Sequence, residues 1–166
     1  GKTPTLPATD NLLEYLPPDG SAASSTKQLF EWANSHLSSI TTLATEDVQL
    51  LIPIPRPNKL LLLAGNYAAH LEEGGDQAVE RTETFPYVFM KPPTTTLRNP
   101  GATVTLPSVS PAHIDYELEL AVIIGRQAKG VSESEALNYV AGFTIVNDIS
   151  DRRFHPNPNR RDRPRN

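Results

Sequence analysis

The stretch His113-Ile114-Asp115-Tyr116-Glu117-Leu118-Glu119-Leu120 sets an acid at every second position three times over. In a strand alternate side chains share a face, so Asp115, Glu117 and Glu119 form one row and Tyr116, Leu118 and Leu120 another. Two residues along a strand span roughly 6.6 Å, which lets the tips of Glu117 and Glu119 converge on a divalent cation held about 2.0 to 2.6 Å from each oxygen. Without a counter-charge they repel. The same alternation also describes a half-solvated antiparallel strand that binds nothing. The continuation Ala121-Val122-Ile123-Ile124 tips the balance, because an unbroken apolar run predicts burial on both faces. An acid row at the mouth of such a strand is costly unless a cation pairs with it.

Other residues carry chemistry at a distance from that row. His70 and Glu73 sit three apart in a run of helix formers, where a carboxylate can orient an imidazole and raise its basicity. That is half of a general-base arrangement, water being the other half, and it is equally the spacing of a surface histidine beside a surface glutamate. Asp148 ends the β-rich run Gly142-Phe143-Thr144-Ile145-Val146-Asn147 and becomes a third oxygen ligand if paired strands bring their ends together; alone it is a turn aspartate. Lys91, at the end of Phe89-Met90, can neutralise carboxylates or substrate oxygens, or simply be solvated. The chain has no cysteine, so any ion must be held by oxygen or imidazole donors, which favours magnesium, manganese or calcium.

The elements that must position these groups are short and punctuated by 16 prolines, about twice the usual share. Residues 1–57 read as a small N-terminal region closed by the extended linker Ile52-Pro53-Ile54-Pro55-Arg56-Pro57. Within it Ser25 is the expected N-cap of a helix bearing Leu29, Phe30, Trp32, Ala33 and Leu37, with Trp32 used for packing. Leu43 to Ile54 suggests a short helix or turn and then a strand. The leucines of Leu60-Leu61-Leu62-Leu63, bounded by Pro57 and Gly65, predict a buried strand that empties into a short helix ending before Gly74-Gly75. Tyr87-Val88-Phe89-Met90 predicts a strand stopped by Pro92-Pro93, and a further short strand is expected around Val104. Ser132 and Glu135 make a capping-box pattern ahead of Ala136, Leu137, Tyr139 and Val140, before the strand that delivers Asp148. The mixture is α+β.

Composition excludes several classes. With 166 residues, enough for a real core, and a formal charge of -4, no polyanionic partner is favoured. The segment from Arg152 onward is arginine-rich, but no aromatic platform accompanies it and the rest of the chain is acidic, so nucleic-acid binding is not expected; the segment reads as a loop near an anionic ligand or as a solvated loop. No apolar stretch resembles a signal peptide, and Leu60 to Ala64 is far too short to cross a bilayer, so the expectation is a cytoplasmic protein without a membrane partner.

Taken in order, Gly65-Asn66-Tyr67 with His70 and Glu73, Phe89-Met90-Lys91-Pro92, Asp115-Tyr116-Glu117-Leu118-Glu119-Leu120, Tyr139-Val140-Ala141-Gly142 and Asn147-Asp148-Ile149-Ser150 resemble the fumarylacetoacetate hydrolase family from about residue 58 to 153. The resemblance implies a mixed β-sheet roll, incomplete in this chain, behind a small N-terminal α/β region. It implies a divalent-metal enzyme acting on 2-oxo, diketo or 2-hydroxy-dienoic acids as hydrolase, isomerase or decarboxylase, and a homodimer. Glu117, Glu119 and Asp148 match the family's ligands for magnesium or manganese, and His70 with Glu73 its water-activating or proton-moving pair. Lys91, Arg152 and His155 are the expected substrate contacts. Arg152 keeps its place after the N-D-x-S motif, while His155 stands where the family has glutamine. The family also carries a lysine farther on and a long β-rich C-terminal half, so residues 58–166 are expected to be the N-terminal part of a catalytic domain whose C-terminal part is missing. The alternative of another class is a non-catalytic protein that binds metal and oxoacid, or an inactive fragment.

Overall fold

The structure, a computed structural model, describes residues 5–73 and 85–152. The N-terminal region is helical. Asn11 caps the 3-10 turn Leu12–Tyr15, its side-chain oxygen accepting from Leu13 N–H at 3.2 Å. The chain then doubles back so that Ala22 N–H donates to the Glu14 carbonyl at 2.9 Å, and helix α1 follows over Ala23–Ser35. Its N-cap is therefore Ala22, not the expected Ser25: the methyl side chain is small enough to be buried against the preceding turn, and that contact outweighs capping preference. Gly20 permits the reversal, since a Cβ there would lie 2.3 Å from the Leu16 carbonyl oxygen. Trp32 stays half exposed and stacks on His36, ring centroids 4.6 Å apart.

The strand expected before Ile54 does not form among the described residues. Thr45–Asp47 is a 3-10 turn, and the prolines at 53, 55 and 57 withhold the amide donors a ladder needs. Ile52 N–H donates instead to the Asn99 side chain at 3.1 Å. Strand β1, Leu61–Ala64, ends at Gly65, whose φ of 66° lies in the left-handed region that favours glycine. Helix α2 is Ala68–Glu73, and β2, Tyr87–Met90, pairs antiparallel with β1 from Leu61↔Met90 to Ala64↔Tyr87. Helix α3 is the single turn Pro93–Thr96, and the backbone around Val104 is irregular where a strand was expected.

The acid stretch is two strands rather than one: β3, Ile114–Asp115, and β4, Leu118–Ile124, with Tyr116 and Glu117 between them. Strand β5, Val140–Asn147, lies antiparallel to β4, and β6, Ser150–Asp151, antiparallel to β3. Ahead of β5, Glu133–Tyr139 forms a 3-10 helix in which Ser132 and Glu135 meet side chain to side chain at 2.7 Å. All three ladders among the described residues are antiparallel and two-stranded.

Burial on both faces of β1 and β4 does not occur. Leu118 is 72% and Leu120 62% exposed, Leu61 and Leu63 are also exposed, and the buried apolar residues among those described are Ala22 and Ala141. A two-stranded ribbon has no third strand and needs a packed layer to cover its face; no such layer covers these leucines among the described residues. The hairpin's far end is covered by the N-terminal region: Gly125 abuts Ala141, Pro17 and Pro18, and Arg126 pairs with Asp19. No helix among the described residues is long and apolar enough to cross a membrane.

Candidate functional site

The register of β4 and β5 builds the site. Leu118 lies opposite Asn147, so the next residue on each strand, Glu117 and Asp148, steps past the ladder at the same end. There Asp148 N–H donates to the Glu117 carbonyl at 2.8 Å, and Glu117 N–H donates to the Asn147 side-chain oxygen at 3.1 Å. Pairing resumes beyond the gap at Asp115↔Ser150. Third ligand candidate and acid row are thus brought side by side by strand pairing alone.

Asp148 is buried, 5% exposed, and a buried carboxylate needs a partner. It has one in Lys91. The backbone of Lys91 is fixed at the end of β2 by its N–H bond to the Leu60 carbonyl at 3.2 Å. Its ammonium donates to Asp148 Oδ1 and to the Ile149 carbonyl, the latter at 3.1 Å. Arg152 follows β6, its N–H donating to the His113 carbonyl at 2.9 Å. Its guanidinium holds Asp115 Oδ2 through Nε and Nη2, both at 3.0 Å, and also pairs with Glu117 Oε1. Beneath it, the hydroxyl of the buried Ser110 donates to the Asp151 carboxylate.

Of the residues singled out from the sequence, Glu117, Asp148, Lys91 and Arg152 therefore gather in one place. Glu119 shares the half-covered side of the strand with Glu117, while Tyr116, Leu118 and Leu120 are exposed, and it forms no ion pair among the described residues. Glu117, Glu119 and Asp148 offer carboxylate oxygens only, a donor set suited to hard ions such as magnesium or manganese. Among the described residues no three His, Asp or Glu side chains stand close enough together to share an ion; two of the three carboxylates are held by Lys91 and Arg152 instead. His70 and Glu73 both fall on α2 at the expected spacing; their side chains, and His155 altogether, lie outside what the structure describes.

Two contributors escaped the sequence reading. Asp115 stands in the acid row without a role readable from its spacing, and it shares the Arg152 guanidinium with Glu117. Tyr67, just before α2, accepts the Leu120 N–H at 3.2 Å through its hydroxyl, tying the segment that leads into α2 to β4. Nothing local marks either contact, since both join segments far apart in the chain.

Residues 59–162 match the family described as "Fumarylacetoacetate (FAA) hydrolase C-terminal", well over half of the chain. The chain belongs to the fumarylacetoacetate hydrolase family. It is 36% identical over 152 residues to oxaloacetate tautomerase YisK of Bacillus subtilis, covering 89% of this chain and 48% of that protein. It is 42% identical over 111 residues to caffeoylpyruvate hydrolase of Neonothopanus nambi, covering 63% of this chain and 37% of that protein. The crystal structure of Cg1458 with inhibitor superposes with a TM-score of 0.53 at 36% identity, over 64% of this chain and 38% of the other. The chain thus spans less than half the length of these relatives. Its fold is the family's α+β arrangement, with a β-sheet roll left unclosed and a small helical N-terminal region.

Proposed function

We propose that this family member carries the ion-binding and base-bearing part of a divalent-metal-dependent enzyme for 2-oxo, diketo or 2-hydroxy-dienoic acids, working as hydrolase, isomerase or decarboxylase. The observation that carries the reading is the 2.8 Å bond from Asp148 N–H to the Glu117 carbonyl, which sets the late aspartate beside the acid row. Support for the substrate class comes from two relatives whose names specify oxaloacetate and caffeoylpyruvate, both 2-oxo acids. Their reactions share one physical need, stabilisation of negative charge that develops on oxygen next to a carboxylate.

Glu117, Glu119 and Asp148 would hold magnesium or manganese, with calcium compatible with the same donors. When bound, such an ion supplies Lewis-acid polarisation of the substrate's oxygens. His70 takes a proton from substrate carbon or from water, and Glu73 stabilises the imidazolium that results. Arg152 supplies a planar fork suited to the substrate carboxylate, and Lys91 a fixed positive charge behind Asp148.

The test is turnover of oxaloacetate and acetylpyruvate with magnesium or manganese, for this chain and for a form extended at its C-terminus. Metal-dependent turnover that disappears in Glu117→Ala and Glu119→Ala supports the reading. Turnover indifferent to chelator overturns the metal role, and ion binding without turnover in either form favours a non-catalytic oxoacid-binding protein.

A further inference from the structure

A cleft of about 520 Å³ lies between the proline-rich linker and the turn that follows α3, and no residue of the acid row lines it. Its size falls within the range of about 300–1,000 Å³ usual for small-molecule sites. Leu51, Pro53, Pro55 and Leu97 give it an apolar lining. Leu51 keeps 62% of its surface exposed, so that lining is open to a ligand and not packed away.

The two sides of the cleft are pinned to each other. Pro100 and Gly101, the latter with φ of 76°, form the corner of a type II turn closed by the bond from Ala102 N–H to the Asn99 carbonyl at 3.0 Å. The Asn99 side chain reaches across from that turn, its oxygen accepting the Ile52 N–H at 3.1 Å. Prolines at 53, 55 and 57 carry no amide donor, so the linker cannot fill the gap by pairing as a strand.

The polar groups of the cleft leave one charge over. Asp10 has a cation in Arg56, 3.9 Å away. Arg98 has no carboxylate partner among the described residues; its Nη1 donates to the Leu97 carbonyl at 3.0 Å, which leaves the other guanidinium N–H groups to a ligand. The carboxamide nitrogen of Asn99 is likewise left to donate, because its oxygen is taken by Ile52. A phosphate would call for more than one cation and would gain nothing from an apolar wall. A monocarboxylate with an apolar body uses every feature: the planar fork of the guanidinium, the neighbouring amide donor and the hydrocarbon lining.

We propose that this cleft is a second ligand site, for a small monocarboxylic acid with an apolar or aromatic body. Arg98 holds the carboxylate, Asn99 donates to the same group, and the body lies along Leu51, Pro53 and Leu97. The site stands apart from the acid row and needs no ion.

The test titrates the protein with phenylacetate, with uncharged phenylacetamide and with acetate, followed by NMR of the backbone amides. Phenylacetate is expected to bind with a Kd at or below about 1 mM, shifting the amides of Ile52, Arg98 and Ala102 while those of Glu117 and Asp148 stay in place. Phenylacetamide lacks the charge and acetate the apolar body, so each is expected to bind at least about tenfold more weakly. Arg98→Gln is expected to weaken phenylacetate about five- to tenfold, the scale of a charge-assisted hydrogen bond from an exposed side chain, with Arg98→Lys in between. Equal affinity for phenylacetate and phenylacetamide overturns the carboxylate recognition. Shifts confined to the acid row, an unchanged Kd in Arg98→Gln, or the lack of saturable binding overturns the site itself.

Discussion

The ammonium of Lys91 donates to the carboxylate of Asp148 and, at 3.1 Å, to the carbonyl of Ile149, with only 4% of the Asp148 side chain exposed. Strands β2 and β5 are thereby joined through one charge pair. Lys91→Met leaves a buried carboxylate without its cation and is expected to cost about 3 kcal/mol of stability, near the lower end for a broken buried pair because Lys91 is partly solvated. Adding Asp148→Asn should recover part of the loss, since an amide needs no counter-charge. A urea double-mutant cycle measures both effects, and strictly additive losses would show that the two residues do not act as a pair.

In the proposed reaction His70 moves a proton and does not hold the ion. His70→Ala should therefore keep the manganese-induced rise in melting temperature while turnover falls by about 10²- to 10⁴-fold. Glu73→Gln should leave a weaker base and move the acid limb of the pH–rate profile to lower pH. Retained turnover in His70→Ala would remove the histidine from the mechanism.

Asp19 and Arg126 tie the N-terminal region to the end of the β4–β5 hairpin, with Arg126 Nε bonded to both carboxylate oxygens at 2.9 and 2.8 Å. Hydrogen bonds from Arg126 are the main reason that the Asp19 carboxyl lies below its ordinary value of 3.8; desolvation opposes them and the Coulomb attraction of the guanidinium assists. Because the folded value is the lower one, the pair's contribution is fully present above the unfolded value and is lost as pH falls through the folded one. Melting curves between pH 2 and 6 should thus show an acid limb that is shallower in Asp19→Asn than in wild type. The difference should shrink at high salt, since both groups are exposed and screened. Identical limbs would mean that the contact does not persist in solution.

Gly125 lies where the N-terminal region packs against the hairpin. A Cβ there would lie 2.8 Å from Ala141 Cβ, 2.9 Å from Pro18 Cδ and 3.1 Å from the Pro17 carbonyl oxygen. Two of these atoms belong to rigid groups, a proline ring and a backbone carbonyl, so they yield only if the segments part. Gly125→Ala is expected to cost about 1–3 kcal/mol and to raise the rate at which limited proteolysis releases the N-terminal region. Wild-type resistance in the variant would show that the packing is looser than these distances imply.

Much of the β-structure could be read locally. Short apolar runs bounded by glycine or proline gave the positions of β1, β2 and β5, because a strand's apolar content and its breakers are both written within a few residues. The start of α1 and the missing strand before Ile54 were not legible. The first depended on a backbone contact to Glu14, the second on where amides without a ladder could go. Likewise the site's acids were legible as types and spacing, whereas their partners were not.

The alternation along Asp115 to Leu120 determined by itself that the acids share one side and the apolar residues the other, since successive strand residues point in opposite directions. It carried no information on which side is covered. The tertiary structure decided that, placing Lys91 and Arg152 on the acid side and leaving Leu118 and Leu120 in the open. The reason is physical: periodicity is a property of neighbouring residues, but charge compensation needs groups from β2, β5 and β6 that only strand pairing brings within reach.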